Sequence, residues 1–124
     1  MSALWFAIGS ILGAAGVALG AFGAHGLKSR VGPDLLVVWE TAVKYHLVHA
    51  LALLATAWAA DRWGGPWTTA AGWLFVVGVA VFSGSLYLLV LSGQRWLGAV
   101  TPIGGVAFIA GWVALAVAAL RMRG

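Results

Sequence analysis

The chain has 124 residues, of which 63% are hydrophobic and only 8% are charged, with a formal net charge of +4. Its mean hydropathy of +1.02 is typical of an integral membrane protein and excludes an ordinary water-soluble domain. The basic residues stand at the ends of apolar runs and form no basic face, so no nucleic acid is expected as a partner. The absence of cysteine excludes disulfides and thiolate chemistry, and the eight tryptophans are typical of an interfacial aromatic belt.

Four apolar stretches are each long enough to cross a bilayer as a helix, at about 1.5 Å of rise per residue. They predict a single four-span transmembrane domain, with spans at about residues 3–24, 41–60, 68–92 and 96–120. The loops between them are short, so consecutive helices are expected to run antiparallel. The predicted fold class is therefore an all-α membrane protein with an up-down-up-down bundle of four transmembrane helices.

The first stretch carries glycines in alternating steps of four and three residues, at Gly9, Gly13, Gly16, Gly20 and Gly23. This spacing places the glycines on one helical face, where a second helix can approach closely. Packing against another helix of the same chain is the simpler interpretation. The alternative is a homo-oligomer joined through the face formed by Gly9, Gly13, Gly16 and Gly20.

The second stretch combines an apolar composition with ionisable side chains. Glu40 and Lys44 are four residues apart, in the order that favours an ion pair on a helix surface. Tyr45, His46 and His49 follow in the first half of the span, where ionisable groups are costly in hydrocarbon. These residues are candidates for a functional site.

The third and fourth stretches contribute further polar groups. Ser83, Ser85 and Tyr87 belong to the third stretch, and Thr101 precedes Pro102 in the fourth. A proline inside a span leaves a carbonyl one turn earlier without its amide partner. A water molecule or a ligand is expected to bond to that carbonyl.

Depth along the helices relates these polar residues to one another. We call the end with the 25–40 and 92–95 loops side B, and the opposite end side A. The polar residues of the second and third stretches lie roughly 8 to 14 Å inside side B, at about 1.5 Å per residue, while side A contributes little beyond Ser10 and Thr56. We therefore expect a polar cavity that opens toward side B and is lined by all four helices. Its candidate ligand-binding residues are His25, Lys28, Glu40, Tyr45, His46, His49, Ser83, Ser85, Tyr87 and Thr101.

Each polar feature also has a structural interpretation. His46 and His49 lie three residues apart on one helical face and are able to ligate a metal or haem, but two histidines without nearby carboxylates are a weak metal signature. Ser83 and Ser85 near a histidine resemble a nucleophile and its base, but no G-x-S-x-G motif accompanies them. Serines in transmembrane helices commonly bond to their own backbone. Catalysis is therefore not expected, and no cofactor is predicted.

Four motifs occur in order along most of the chain: GAFGAHGLK at 20–28, ETAVKYHLVHALALL at 40–54, FSGSLYLLVLSG at 82–93 and RWLGAVTPIGGVAFIAGW at 95–112. With these motifs the chain resembles the YgdD-type family of small bacterial inner-membrane proteins, a family of unknown function. The resemblance implies a multi-span protein of the inner membrane and assigns no catalytic residue. The motifs contain the same polar residues that the depth count selects.

We predict a binding or accessory protein that holds a small amphipathic ligand in the side B pocket: a lipid headgroup, a quinone or a peptide. His49, Tyr45, Ser85 and Thr101 are expected to donate or accept its hydrogen bonds inside a low-dielectric bundle. Membrane lipids are the expected partners. Two alternatives stay open at this point, a small transporter or proton-coupled channel and a histidine-ligated haem or metal protein.

Overall fold

The structure is a computed structural model that describes residues 1–122, and these residues are helical with no strand among them. The predicted all-α class is confirmed. Two 3₁₀ stretches, Leu27–Ser29 and Arg95–Ala99, precede the second and the last helix, and a π-helical segment, Val79–Ser83, makes residues 66–92 one continuous helix. The α-helices are α1 (Ser2–His25), α2 (Pro33–Arg62), α3 (Pro66–Gly78), α4 (Gly84–Ser92) and α5 (Thr101–Arg121).

Proline and glycine mark the helix ends. Pro33, Pro66 and Pro102 stand in the first turns of α2, α3 and α5, where a missing backbone N–H costs no hydrogen bond. Gly93 ends α4 with a φ of 75°, a left-handed conformation that glycine adopts without strain. Pro102 lies inside the apolar helical stretch Arg95–Arg121, as expected, at the point where its 3₁₀ turn gives way to α5.

The glycine face of α1 packs against α2. A Cβ atom at Gly9 would lie 3.0 Å from the Cβ of Leu53, and one at Gly23 would lie 2.5 Å from Cδ1 of the Trp39 ring. Residues early in α1 thus meet residues late in α2, so the two helices run antiparallel. Gly16, between these two contacts, is also buried. The structure therefore uses this face within the chain, as the simpler interpretation of the glycine spacing expects.

The predicted homo-oligomer is not tested by a single chain and stays a prediction. Gly9 and Gly16 are covered by α2, whereas a Cβ atom at Gly13 would meet no heavy atom within 4 Å. Gly20 lies closer to α2, where a Cβ atom would stand 3.3 Å from a methyl group of Val43. A contact between copies would have to use the Gly13 side of the helix.

The last helix packs antiparallel to the third through contacts between glycine and aromatic rings. A Cβ atom at Gly111 would lie 2.6 Å from the ring of Phe75, and one at Gly78 would overlap the ring of Phe108. The order of these contacts is reversed between α3 and α5, as antiparallel helices require. Because α1 pairs with α2 and α5 pairs with α3, α2 and α5 touch only sparsely, and a groove separates them.

Three helices within residues 1–122 are long and apolar enough to cross a membrane: Ser2–Ser29, Pro66–Ser92 and Arg95–Arg121. The longest α-helix, α2, does not meet the same criterion. Its apolar part is flanked by Glu40 and Lys44 at one end and by Asp61 and Arg62 at the other. A multi-pass helical protein is thus supported, with three helices that meet the criterion for crossing.

The tryptophans divide between the surface and the interior. Trp58 and Trp96 are exposed, as an interfacial belt requires. Trp5 and Trp39 are instead fully buried, with 0% and 1% of their surface accessible. The expectation of a belt is therefore wrong for these two residues, which fill the space above glycines of neighbouring helices.

Substitution of Gly104 tests the close approach of α5 to the π-helical segment. A Cβ atom there would overlap backbone atoms of Phe82, which no side-chain rotation relieves. We expect Gly104→Ala to lower the free energy of unfolding by about 1–3 kcal/mol, measured by denaturant unfolding in detergent. Gly84→Ala is the matched control, because its Cβ atom would meet nothing within 4 Å. Equal stability of the two variants would contradict the packing.

Candidate functional site

His46 joins three helices through both of its ring nitrogens. Its Nε2 lies 2.8 Å from the carbonyl oxygen of Leu12 in α1, and its Nδ1 lies 2.8 Å from the hydroxyl of Tyr87 in α4. A carbonyl only accepts, so Nε2 carries the proton, and Nδ1 of the neutral ring accepts from Tyr87. Gly16 stands four residues after Leu12, where a Cβ atom would lie only 3.2 Å from the His46 ring. The glycine therefore gives the imidazole access to the α1 backbone.

The same arrangement recurs one heptad away. Nε1 of Trp39 donates to the carbonyl oxygen of Leu19 at 2.9 Å. Gly23 stands four residues after Leu19, and a Cβ atom there would lie 2.7 Å from that indole nitrogen. Two N–H side chains of α2 thus bond to the α1 backbone above two bare glycines.

Serine hydroxyls connect the remaining helices. Ser83 donates to the carbonyl oxygen of Ala42 at 2.7 Å and ties the π-helical segment to α2. The hydroxyls of Ser85 and Thr101 lie 2.6 Å apart and tie α4 to α5. These groups are bonded within the bundle, so the hydrogen bonds predicted for a ligand are made here between helices.

His49 occupies a different environment on the α5 side of α2. Its Nδ1 lies 2.7 Å from the carbonyl oxygen of Tyr45, and its Nε2 accepts the indole N–H of Trp112 at 2.9 Å. A carbonyl only accepts and an indole N–H only donates, so His49 is neutral with its proton on Nδ1. The ring is 3% exposed and stacks on Phe108, with a centroid distance of 3.6 Å and an angle of 7°.

These bonds bear on the haem or metal alternative. A metal needs a free ring nitrogen lone pair, but both nitrogens of His46 and of His49 already have protein partners. Among residues 1–122, no three histidine, aspartate or glutamate side chains come together as a ligand set. As bonded here, neither His46 nor His49 offers a free nitrogen to a haem iron or a metal ion.

The candidates at the side B rim are separate from these bonds. His25, Lys28 and Glu40 are exposed, and none of their side chains makes a hydrogen bond to another of the 122 described residues. The ion pair expected between Glu40 and Lys44 is not formed in this part of the chain. Arg95 and Asp34 form one instead, at 3.5 Å on the surface.

None of five cavities on residues 1–122 is lined by all four long helices. Each of the five opens outward and is lined by two or three elements. The predicted polar groups lie at the helix contacts, where they bond to one another. Accessible space lies between α1 and α2, in three cavities of about 280 to 370 Å³, and in the gap between α2 and α5.

We call this gap the α2–α5 groove. Its volume is about 450 Å³, and its walls are mostly aromatic and carry no charged residue. Tyr45 lines the groove, the residue is 40% exposed, and its hydroxyl bonds to none of residues 1–122. The lining residues are Tyr45, Val48, His49, Phe82, Gly105, Phe108, Ile109 and Trp112.

The groove continues toward side A. A second cavity of about 350 Å³ lies between the same two helices and shares Trp112 with the first. Its lining on α2 extends to Trp58 and Trp63. From Tyr45 to Trp63 the helix rises about 27 Å at roughly 1.5 Å per residue, close to the thickness of a hydrocarbon core.

Sequence reasoning selected Tyr45 and His49 but missed the other walls of the groove. Phe82 and Phe108 are ordinary apolar residues in the sequence, and nothing there distinguishes them from core residues. Trp112 did carry a signal, because it stands in the middle of the fourth stretch, away from the interface where tryptophan is usual.

Helices with apolar outer faces, joined by buried hydrogen bonds, define a multi-pass helical membrane protein. A family model described as "Protein of unknown function (DUF423)" matches residues 19–105, and the chain belongs to this family.

Curated relatives extend the similarity over nearly the whole chain. The UPF0382 membrane protein YwdK of Bacillus subtilis (strain 168) is 48% identical over 115 residues, which cover 92% of this chain and 94% of the relative. The UPF0382 membrane protein SAB0533 of Staphylococcus aureus (strain bovine RF122 / ET3-1) is 42% identical over 127 residues, with 98% of both chains covered. No solved structure matches.

The two buried histidines are expected to show opposite tautomers. His46 should carry its proton on Nε2 and His49 on Nδ1, because each donates to a carbonyl oxygen through that nitrogen. Nitrogen-15 chemical shifts of labelled histidine side chains in lipid bilayers distinguish the two forms. The exposed His25 provides the reference signal. Identical tautomers at the two buried sites would contradict the assigned bonds.

Removal of the Tyr87 hydroxyl should destabilise the bundle. Tyr87→Phe leaves Nδ1 of His46 without a donor, and polar contacts between membrane helices contribute roughly 0.5–2 kcal/mol. Tyr45→Phe is the matched control, since its hydroxyl bonds to none of residues 1–122. Unfolding free energies in detergent should fall for Tyr87→Phe and stay unchanged for Tyr45→Phe. The reverse order would refute this interpretation.

Proposed function

We propose that the protein is a four-span binding or accessory protein of the bacterial inner (plasma) membrane, which holds a small amphipathic ligand in the α2–α5 groove. The observation that supports this proposal is an aromatic, uncharged groove on the outer face of the bundle, with the unpaired Tyr45 hydroxyl at its side. Ligand sites are typically apolar with a few polar groups that orient the ligand.

The packing of α2 supports the proposed fourth crossing. Its Trp39 end meets the end of α1, and its Leu53 end meets the start of α1, so α2 lies alongside a helix that is apolar enough to cross. Residues 45–60 contain no Asp, Glu, Lys or Arg, and the ring nitrogens of the two neutral histidines bond to groups inside the protein. Such pairing makes a polar residue tolerable in a membrane helix.

The inner-membrane location is part of the proposal. The relatives in Bacillus subtilis and Staphylococcus aureus are named membrane proteins, and multi-pass apolar helices suit a plasma membrane. The identification with the YgdD-type proteins in particular is likewise proposed, on the four motifs of the sequence.

The groove favours an uncharged ligand with a long apolar part. Its walls offer aromatic and aliphatic surface along a path about as long as the hydrocarbon core is thick. A charged headgroup inside the groove would find no counter-charge and would carry a large desolvation cost. Of the ten residues predicted for the pocket, Tyr45 and His49 line the groove. The proposed site therefore contains fewer of the predicted residues than expected.

Transport and proton-coupled conduction are not proposed. The polar groups of the described residues form separate pairs, such as Ser85 with Thr101 and His49 with Trp112, instead of a chain from side B to side A. A proton relay needs consecutive groups within hydrogen-bond reach.

Filling the groove tests the proposal. Gly105→Leu places a side chain in the groove without a clash, since a Cβ atom there would lie 3.8 Å from the Phe82 ring. We expect it to lower severalfold the amount of ligand that co-purifies in native lipid nanodiscs, measured by mass spectrometry. Gly84→Leu, at a position that does not line the groove, is the matched control. Equal ligand content in wild type and both variants would refute the proposal.

A further inference from the structure

The chemistry of one hydrogen bond narrows the ligand class. Resting on the function proposed above, we propose that the α2–α5 groove binds a long-chain alcohol whose hydroxyl group inserts between Trp112 and His49. The indole Nε1–H of Trp112 and the Nε2 lone pair of His49 lie 2.9 Å apart in the groove wall.

A hydroxyl matches both groups at once. It accepts a hydrogen bond from the indole, which only donates, and donates one to His49 Nε2, which only accepts because the ring proton is on Nδ1. A carbonyl, an ether or a carboxylate has no proton for His49. An ammonium group has no lone pair for Trp112. Insertion of any of these leaves one buried polar group unpaired, which costs about 1–3 kcal/mol.

His49 is buried and held by several contacts, whereas Trp112 is partly exposed and packs edge-on against Phe75, with a centroid distance of 5.2 Å. His49 is fixed by its second bond to the Tyr45 carbonyl and by its stacking on Phe108 at 3.6 Å. Trp112 is 45% exposed, and it stands where the two cavities meet. A small movement of the indole widens the gap from 2.9 Å to about 4.5–5 Å, which holds one oxygen with two hydrogen bonds of ordinary length.

The position of the pair provides selectivity against bulk lipid. A hydroxyl at this depth in hydrocarbon lacks hydrogen-bond partners, and its burial without them is unfavourable. Trp112 and His49 supply both partners in the groove, and the cavity on the side A flank of Trp112 accommodates an apolar chain. The bundle therefore offers an alcohol an environment that the surrounding acyl chains do not.

Photocrosslinking tests this inference. A long-chain alcohol with a diazirine in its chain is mixed into liposomes that contain the full chain, and the labelled residues are mapped by mass spectrometry. Unlabelled alcohol should compete for labelling of the groove about tenfold better than its methyl ether, the factor that one lost buried hydrogen bond predicts. Gly105→Leu should abolish the groove label.

His49→Phe tests the role of the hydrogen-bond acceptor, His49 Nε2, by removing it. The substituted ring keeps the stacking surface toward Phe108 but removes the lone pair, so alcohol and ether should compete equally. Trp112→Phe leaves the acceptor in place and should retain the preference for alcohol. The comparison in the wild-type protein needs no substitution and stands whether or not these variants fold.

The outcomes separate the two proposals. Equal competition by alcohol and ether in the wild type, with label in the groove, overturns the alcohol inference and supports a less selective amphipathic site. A preference for alcohol that persists in His49→Phe also overturns the inference. Labelling that never exceeds the Gly105→Leu background overturns both the alcohol inference and the proposed binding function.

Discussion

Access of α2 side chains to the α1 backbone is the constraint on which the rest of the structure depends. His46 and Trp39 bond to main-chain carbonyls of α1, and each does so beside a glycine, since a Cβ atom at Gly16 or Gly23 would stand in the way of the ring. In hydrocarbon no water replaces a lost bond, so these contacts are costly to break. They hold α2, the most polar of the long helices, inside the bundle.

The groove is a consequence of this pairing. α2 uses its glycine-facing side for α1, and α5 uses its own small residues for α3 and the π-helical segment. Bulky rings then fill what remains between α2 and α5, and aromatic side chains do not approach as closely as glycine faces do. The result is the outward-facing α2–α5 groove with aromatic walls, in which His49 accepts the indole N–H of Trp112 and the Tyr45 hydroxyl bonds to none of residues 1–122. The groove is therefore one place where polar side chains of the bundle line a cavity that opens outward.

Much of this arrangement can be predicted from the sequence. The part that cannot be predicted has a physical reason. Helix periodicity and glycine spacing identify the α1 face that packs, because small side chains at helical spacing have few other uses in a membrane. The polar residues were also identifiable as unusual, since ionisable groups in apolar stretches are costly. The hydrogen-bond partners of these residues could not be identified from the sequence. His46 and Tyr87 lie far apart in the chain, and whether they bond to each other or to a ligand depends on how α4 is rotated about its axis, which the π-helical segment sets.

The sequence by itself determined that this is a helical membrane protein, where its apolar stretches lie and which of their residues are polar, because composition and periodicity are local properties of a chain. Only the tertiary structure decided which polar groups satisfy one another and which remain accessible. It paired Ser85 with Thr101 and His46 with Tyr87, and it left the Tyr45 hydroxyl in an open groove. Helix rotation and crossing make that distinction, since a turn of one helix by a single residue, about 100°, moves a side chain from an internal bond to the lipid-facing surface.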